Sequence, residues 1–426
     1  MSPVVAVETM AALLQPRSVE RMLARLRCAP DERLGEPRLA SLWVKPGRYF
    51  NAVYDLDESS SGPTPGRTVS LFALGASAAN RARRGMGQHD HTGLEASGPG
   101  CAKCSSEVTP EGVLVQLFPF DYRLPTLRAC HDQNVVSRAM GAPVERLAAM
   151  TYRAGMRCQI EYTLEDGRRV FGKVAFEREP GKSFRKQQGI HEALCRDAGE
   201  LKVARPDRYI ENLRLSVIGA VSGASLDEAY PGDAAAAVLP RVARALHQFH
   251  GLDPAITDRV HGVREEVALL TSWVALISAL LPEVAGDLAV GLEHLKSTAP
   301  NVPGVLCLVH RDFFDKQVMV SGERVALIDL DTAGGGEPEI DLANFCVHLR
   351  LRARQATTAV DDRSLIETFL RAYPGRFSVE KFDWYRRATC LRLACVYALR
   401  KPWQFLVPGL IAETMPEPDA AGRAER

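Results

Sequence analysis

The sequence predicts an α+β protein, with antiparallel strand units early in the chain and helices later. Three observations predict it. Strand-like runs joined by tight turns occupy 41–74 and recur from 148 to 176. Amphipathic helical patterns dominate from Ala234 onward. Between the later helices lies a strand-rich stretch, Val305–Phe345, with carboxylates at its strand ends. Strands first and helices after them read as segregated α+β layers.

Composition narrows the class. At 426 residues the chain exceeds one average domain, so two or three units are expected. Lys and Arg nearly balance Asp and Glu, leaving a formal charge of +1. That balance carries no nucleic-acid footprint. No apolar run approaches the roughly 20 residues that span a bilayer, so no membrane partner is expected. The first residues lack a basic segment before an apolar core, so no signal peptide is read there. The expectation is a cytoplasmic enzyme with reduced, buried thiols at Cys158, Cys195, Cys307, Cys346, Cys390 and Cys395. The oligomeric state is left open.

Residues 1–40 suggest one amphipathic helix, with Val19, Met22, Leu23 and Leu26 on one face. Two strand-like runs hinged at Lys45-Pro46-Gly47 follow, then a Ser/Gly/Pro loop at Ser59–Gly66 and a strand at Thr68–Leu74. Ala76–Glu107 is polar, small and basic and reads as a long mobile loop; Val113–Phe120 reads as a strand. Within that loop His89 and His91 precede Cys101 and Cys104. His-x-His with Cys-x-x-Cys can form a tetrahedral zinc set, but one Cys-x-x-Cys is a weak signal and a solvated loop is the default.

The strand–turn–strand pattern returns at 148–164, and Asp166-Gly167 turns into a third strand. Lys45-Pro46-Gly47 aligns over Arg153-Ala154-Gly155, and Asn51–Tyr54 over Gln159–Tyr162. This reads as an internal repeat of a three-stranded unit, against coincidence between two similar hairpins. Lys173 lies on the third strand of the second copy; Leu71 aligns with it in the first. A helix is expected at Ser183–Ala198, a strand at Leu213–Val221, and helices at Ala234–His250, Glu265–Leu281, Arg363–Ala372 and Asp383–Arg400.

In the central stretch, Val305–Val309 and Val325–Leu330 read as buried strands. Val318–Val320 pairs with the latter across Ser321-Gly322. Asp312, Asp329 and Asp331 fall at strand ends. Carboxylates there cost desolvation energy unless partnered, and Mg²⁺ is the usual cation for such a set. Singly, each Asp is an ordinary turn or cap residue. Jointly, His-x-Asp, a five-residue step to Gln317, a hairpin and Ile-Asp-Leu-Asp are much rarer.

This segment resembles the catalytic and metal-binding loops of the aminoglycoside phosphotransferase and choline kinase group, small-molecule relatives of protein kinases. The resemblance implies a bilobal protein-kinase-like fold, a small antiparallel β lobe and a larger helical lobe. The extra N-terminal region would be a degenerate small-lobe-like copy. The implied organisation is 1–135 for that copy, 136–222 for the small lobe, 223–412 for the helical lobe and 413–426 for a frayed tail. ATP and Mg²⁺ are the implied cofactors, and a small-molecule acceptor the implied partner.

Roles follow from the same resemblance. Asp312 matches the catalytic-loop Asp, Gln317 the metal-binding Asn, and Asp329 the Asp that holds Mg²⁺; Asp331 would add a second oxygen. Lys173 would pair with nucleotide phosphates, with Glu192 as its helical partner. Gly155 would offer backbone N–H groups to phosphate, and Gly219 and Val221 would present backbone to adenine. His310 and Asp341 would brace the catalytic loop; from the residues alone Asp341 also reads as a helix N-cap.

Two departures stand out. Gln317 is one methylene longer than Asn, and Arg311 stands where the small-molecule group commonly has Gly. The turn 153–157 also lacks a full glycine motif. The leading expectation is an ATP-dependent kinase acting on a hydroxyl of a sugar, amino alcohol or aminoglycoside-like molecule. The alternative is a weakly active or inactive nucleotide-binding regulatory module. A protein kinase is disfavoured by the short 313–342 segment.

Overall fold

The computed structural model describes residues 7–24, 36–46, 49–56, 68–74, 79, 82, 106–196, 199–301, 304–356 and 359–415. These form two compact units, residues 1–182 with 206–220 and residues 183–205 with 221–426. The expected boundary at residue 135 falls inside the first unit. Among the described residues no helix is long and apolar enough to cross a membrane.

The first unit opens with two short helices, α1 (Val7–Ala12) and α2 (Pro16–Leu23), rather than one. Pro16, without an N–H to continue a helix, starts the second. Val19, Met22 and Leu23 are buried as the periodicity predicts; Leu26 lies outside the described residues. Strands β1 (Arg38–Lys45), β2 (Tyr49–Asp55), β3 (Thr68–Ala73), β4 (Ser106–Val108) and β5 (Val113–Leu117) form one sheet, in the order β1-β2-β3-β5-β4. Part of the expected loop 76–107 is therefore structured. Ala79 and Ala82 are helical and buried, and Ser106 begins an edge strand.

After α3 (Leu127–Cys130), helix α4 (Gln133–Met140) starts at Asp132, whose carboxylate accepts the N–H groups of Asn134 and Val135. A second sheet follows, with β6 (Val144–Arg153), β7 (Arg157–Leu164), β8 (Arg169–Ala175), β10 (Pro206–Ile210) and β11 (Leu215–Gly219) in the order β10-β11-β8-β7-β6. One core joins Val53 and Phe118 of the first sheet's region to Tyr152, Ala154 and Cys158 of the second.

Register corrects the alignment of the two three-stranded units by one residue. Lys173 pairs with Gln159, and Asn51, which aligns with Gln159, pairs with Phe72. Phe72, not Leu71, therefore stands where Lys173 does. A one-residue slip on a strand exchanges its faces, so the distinction is physical.

The second unit begins with α5 (Lys182–Arg196) and β9 (Leu201–Val203). Strands β12 (Ala224–Ser225), β15 (Val318–Ser321) and β16 (Arg324–Leu327) join β9 in one small sheet. A second consists of β13 (Val260–His261), β14 (Cys307–Val309) and β17 (Gly334–Gly336). Helices α6 (Leu226–Ala229), α7 (Leu239–His250), α8 (Val263–Leu280), α9 (Ala285–Ser297), α10 (Glu339–Gln355), α11 (Asp362–Ala372), α12 (Val379–Ala398) and α13 (Val407–Ala412) supply the rest.

Two details depart from expectation. Val305 and Leu306 are exposed, and the strand begins only at Cys307, where β17 supplies its partner. The triple glycine explains itself sterically: a Cβ on Gly336 would sit 2.6 Å from a Val309 methyl and 2.9 Å from the His261 carbonyl oxygen. Cys195 is exposed, unlike the other five thiols named above.

Candidate active site

Strand β14 ends at Val309, and the next four residues turn sharply. His310 is fully buried. Its Nε2 donates to the Ile328 carbonyl (2.9 Å) and its Nδ1 accepts the Asp312 N–H (3.4 Å). Both contacts hold the ring against the backbone of residues 312 and 328. Its carbonyl accepts the Thr332 hydroxyl (2.8 Å).

Asp341 holds the same loop from below. It is fully buried and accepts the N–H groups of His310 (2.6 Å) and Arg311 (2.7 Å). His250 Nε2 donates to it at 3.1 Å, while Tyr373 donates to His250 Nδ1 at 2.8 Å. It lies in the first turn of α10, whose N-cap position is Pro338, so its carboxylate serves the loop rather than its own helix. Asn344, one turn on, donates to the Phe313 carbonyl at 2.7 Å and accepts from Arg392 at 2.7 Å. Asp312 is thus flanked by backbone pinned at residues 310, 311 and 313.

Hairpin register places the other groups. Val318 pairs with Leu327, and the Ile328 N–H donates to the Gln317 carbonyl (3.1 Å). Gln317 and Asp329 therefore stand together at the open end of the β15–β16 hairpin. Asp329 adopts a left-handed conformation (φ 55°), which Asp tolerates better than most residues and which terminates the strand. Lys186 of α5 reaches the next turn, its Nζ donating to the carbonyls of Asp331 (2.7 Å) and Ala333 (3.2 Å).

Among the described residues no group of three or more His, Cys, Asp or Glu is arranged to hold a metal. Mg²⁺ keeps several waters and takes one or two carboxylates plus substrate phosphate oxygens rather than an all-protein cage. Asp329, Asp331 and Gln317 are half-buried oxygen donors, so the residues fit such an ion.

Arg311 is the departure with the clearest consequences. Its φ is 68°, a conformation unfavourable for a residue with a Cβ. Burial lowers the pKa of its guanidinium, and Glu266 opposes that shift. Burial alone would raise Glu266; the hydrogen bond from His261 (2.6 Å) and the charges of Arg392 and Arg311 bring it below its ordinary value.

The remaining predicted residues divide between the units. Lys173 lies in the first, on β8 between Gln159 and Ser216, on the face opposite Val174. Gly219 ends β11, and the chain passes between units at Ala220–Val221. Gly155 departs from expectation: its N–H donates to the Asp121 carboxylate at 2.6 Å and is not open to a phosphate in this conformation. Glu192 departs too. It is exposed and accepts from Gln188 one turn earlier in α5, whereas Ile190 and Leu194 occupy the buried face. Two positions from either, Glu192 necessarily points away from that face. His89, His91, Cys101 and Cys104 lie outside the described residues.

Sequence reasoning missed Lys186, His250, Asn344 and Thr332. Asn344 follows Asp341 by three and so shares its helix face, a usable signal; the others carried none.

A family model described as the phosphotransferase enzyme family matches residues 159–385, more than half of the chain. The chain belongs to this phosphotransferase family and has its α+β, protein-kinase-like fold. Among solved structures it is similar to a thermostable mutant of aminoglycoside phosphotransferase APH(4)-Ia in its apo form, with TM-score 0.50 and 16% identity over 66% of this chain and 97% of that one. It is also similar to macrolide 2'-phosphotransferase MphH from Brachybacterium faecium, with TM-score 0.45 and 20% identity over 67% and 98%. A choline/ethanolamine kinase family protein from Mesorhizobium loti gives TM-score 0.46 and 14% identity over 68% and 92%. No curated protein matches.

Proposed function

We propose that the protein transfers the γ-phosphoryl group of ATP to a hydroxyl of a small molecule such as a sugar, an amino alcohol or an aminoglycoside-like compound. The observation that carries this reading is the pinned loop around Asp312, held by Asp341 through two backbone N–H groups. Phosphoryl transfer needs little covalent work from a protein; it needs orientation and charge neutralisation. A loop immobilised on both sides of one carboxylate supports orientation of an acceptor hydroxyl by Asp312.

In this reading Asp312 orients the hydroxyl and takes its proton as the oxygen bonds to the γ-phosphorus and the bond from that phosphorus to the β-phosphate oxygen breaks, releasing ADP. Asp329, with Gln317 and Asp331, would hold Mg²⁺, which supplies charge neutralisation on the phosphates. Lys173 binds phosphate, and backbone at Gly219 and Val221 receives adenine. The protein works in the cytoplasm.

ATP consumption across a panel of sugars, amino alcohols and aminoglycosides tests the proposal, with Asp312→Ala and Asp329→Ala as controls. The expected result is one acceptor class that stimulates turnover in the wild type and at least 10²-fold less in either variant. Mg-ATP binding without acceptor-stimulated turnover in any class would instead support a nucleotide-binding regulatory protein.

A further inference from the structure

The β6–β7 turn is held by the N-terminal sheet and the segment that follows it. Arg153 pairs with Arg157, leaving Ala154, Gly155 and Met156 in the turn. Mid-turn polar groups on a hairpin ordinarily face water. Here Ala154 is fully buried, and its carbonyl accepts the side-chain amide of Asn51 on β2. The Gly155 N–H donates to Asp121 Oδ2. Gly155 has φ +66°, and a Cβ there would meet the Phe72 ring at 2.6 Å. The Arg153 guanidinium lies 4.1 Å from the centroid of the Trp43 ring. Residues 43, 51, 72 and 121 thus meet consecutive positions of one turn.

The polar members of this set are costly. Asn51 is fully buried, and its Oδ1 has no hydrogen-bond partner among the described residues. Asp121 is buried and its pKa is raised by that burial. Its hydrogen-bond partners are neutral donors: the Gly155 N–H, the Arg123 N–H (2.8 Å) and the Tyr152 hydroxyl (2.9 Å). A relay from Gln116 through Ser70 to Tyr152 supports it. An apolar pair of similar size would bury at lower cost. What the polar pair adds is register: one acceptor and one donor fix two successive peptide groups, which apolar packing cannot do.

We infer that Asn51 and Asp121 are positioning residues for nucleotide binding: they occupy the Ala154 carbonyl and the Gly155 N–H and so hold the β6–β7 turn in a single preformed conformation, leaving phosphate contact to its other backbone groups. The inference rests on the reading that residues 136–222 bind ATP. It assigns residues 38–124 a task in that lobe: they replace the self-supporting glycine loop that this turn lacks. A preformed turn loses no ordering free energy when nucleotide binds, so releasing it weakens binding without altering the phosphoryl-transfer step.

Calorimetric titration with Mg-ATP, alongside steady-state kinetics on the best acceptor, tests this with Asn51→Leu, Asp121→Asn and Asp121→Leu. Asn51→Leu removes one unsatisfied oxygen but leaves the buried Ala154 carbonyl without its donor, so its unfolding temperature is expected to fall modestly while the variant stays folded. Its Kd and KM for Mg-ATP are expected to rise about tenfold, with kcat within twofold and acceptor KM unchanged. Asp121→Asn, which keeps an acceptor oxygen, should lie between wild type and Asp121→Leu. Folded Asn51→Leu binding Mg-ATP as tightly as wild type overturns the inference, and this variant decides if Asp121→Leu does not fold. Absence of Mg-ATP binding by the wild type overturns the nucleotide reading itself, and this inference with it.

Discussion

Asp341 shows how much a single buried carboxylate does here. It accepts two consecutive backbone N–H groups and one imidazole N–H, with no solvent exposure. Asp341→Asn presents an amide N–H₂ to one of those N–H donors, which forces the loop to shift. A displacement of about 1 Å at a reacting group costs on the order of 10²-fold in rate. The expected outcome is a fall of that size in kcat with a smaller change in KM for ATP, measured at saturating acceptor; an unchanged kcat would show that the loop holds without it. The sequence placed His310, Asp312 and Asp341 in their local elements because spacing and strand ends are local properties. It could not separate a helix cap from a loop brace at Asp341, since both demand the same side chain at a helix start and differ only in which N–H groups approach.

At the scale of elements, helix α5 and the β15–β16 hairpin divide in legibility. The hairpin was readable because period-two alternation and the Ser321-Gly322 turn set its register without distant contacts. The helix was readable as a helix, but its functional side chain was not. Glu192 carries the charge that a partner of Lys173 needs, but its phase on the helix sends it to solvent. Lys186 reaches the turn after Asp329 instead, at the carbonyls of Asp331 and Ala333. Lys186→Met leaves two carbonyls without their ammonium donor beside Asp331. Groups that orient metal ligands typically change affinity 10- to 100-fold when removed. The Mg²⁺ concentration for half-maximal activity is accordingly expected to rise at least tenfold, with the unfolding temperature little changed. A variant with wild-type Mg²⁺ dependence would assign Lys186 to packing alone.

At the scale of the whole molecule, the first 124 residues are not an appendage of the first unit. Phe118, Leu124 and Val53 share one core with Tyr152, Cys158 and Ile160. A chain beginning at residue 125 would expose that apolar face and leave the 153–157 turn unsupported. It is expected to lose the sharp thermal transition of the full chain and to bind a hydrophobic dye; a cooperative melt in the truncated chain would show that the second sheet is autonomous. The order of strands and helices, the β15–β16 hairpin and the family were all written in local pattern, because periodicity, turn residues and strand-end charges act over a few residues. Which atoms Asn51, Asp121 and Lys186 meet was decided only in the folded chain. Their partners lie 103, 34 and 145 residues away, and no local propensity encodes a contact at that separation; packing of whole elements does.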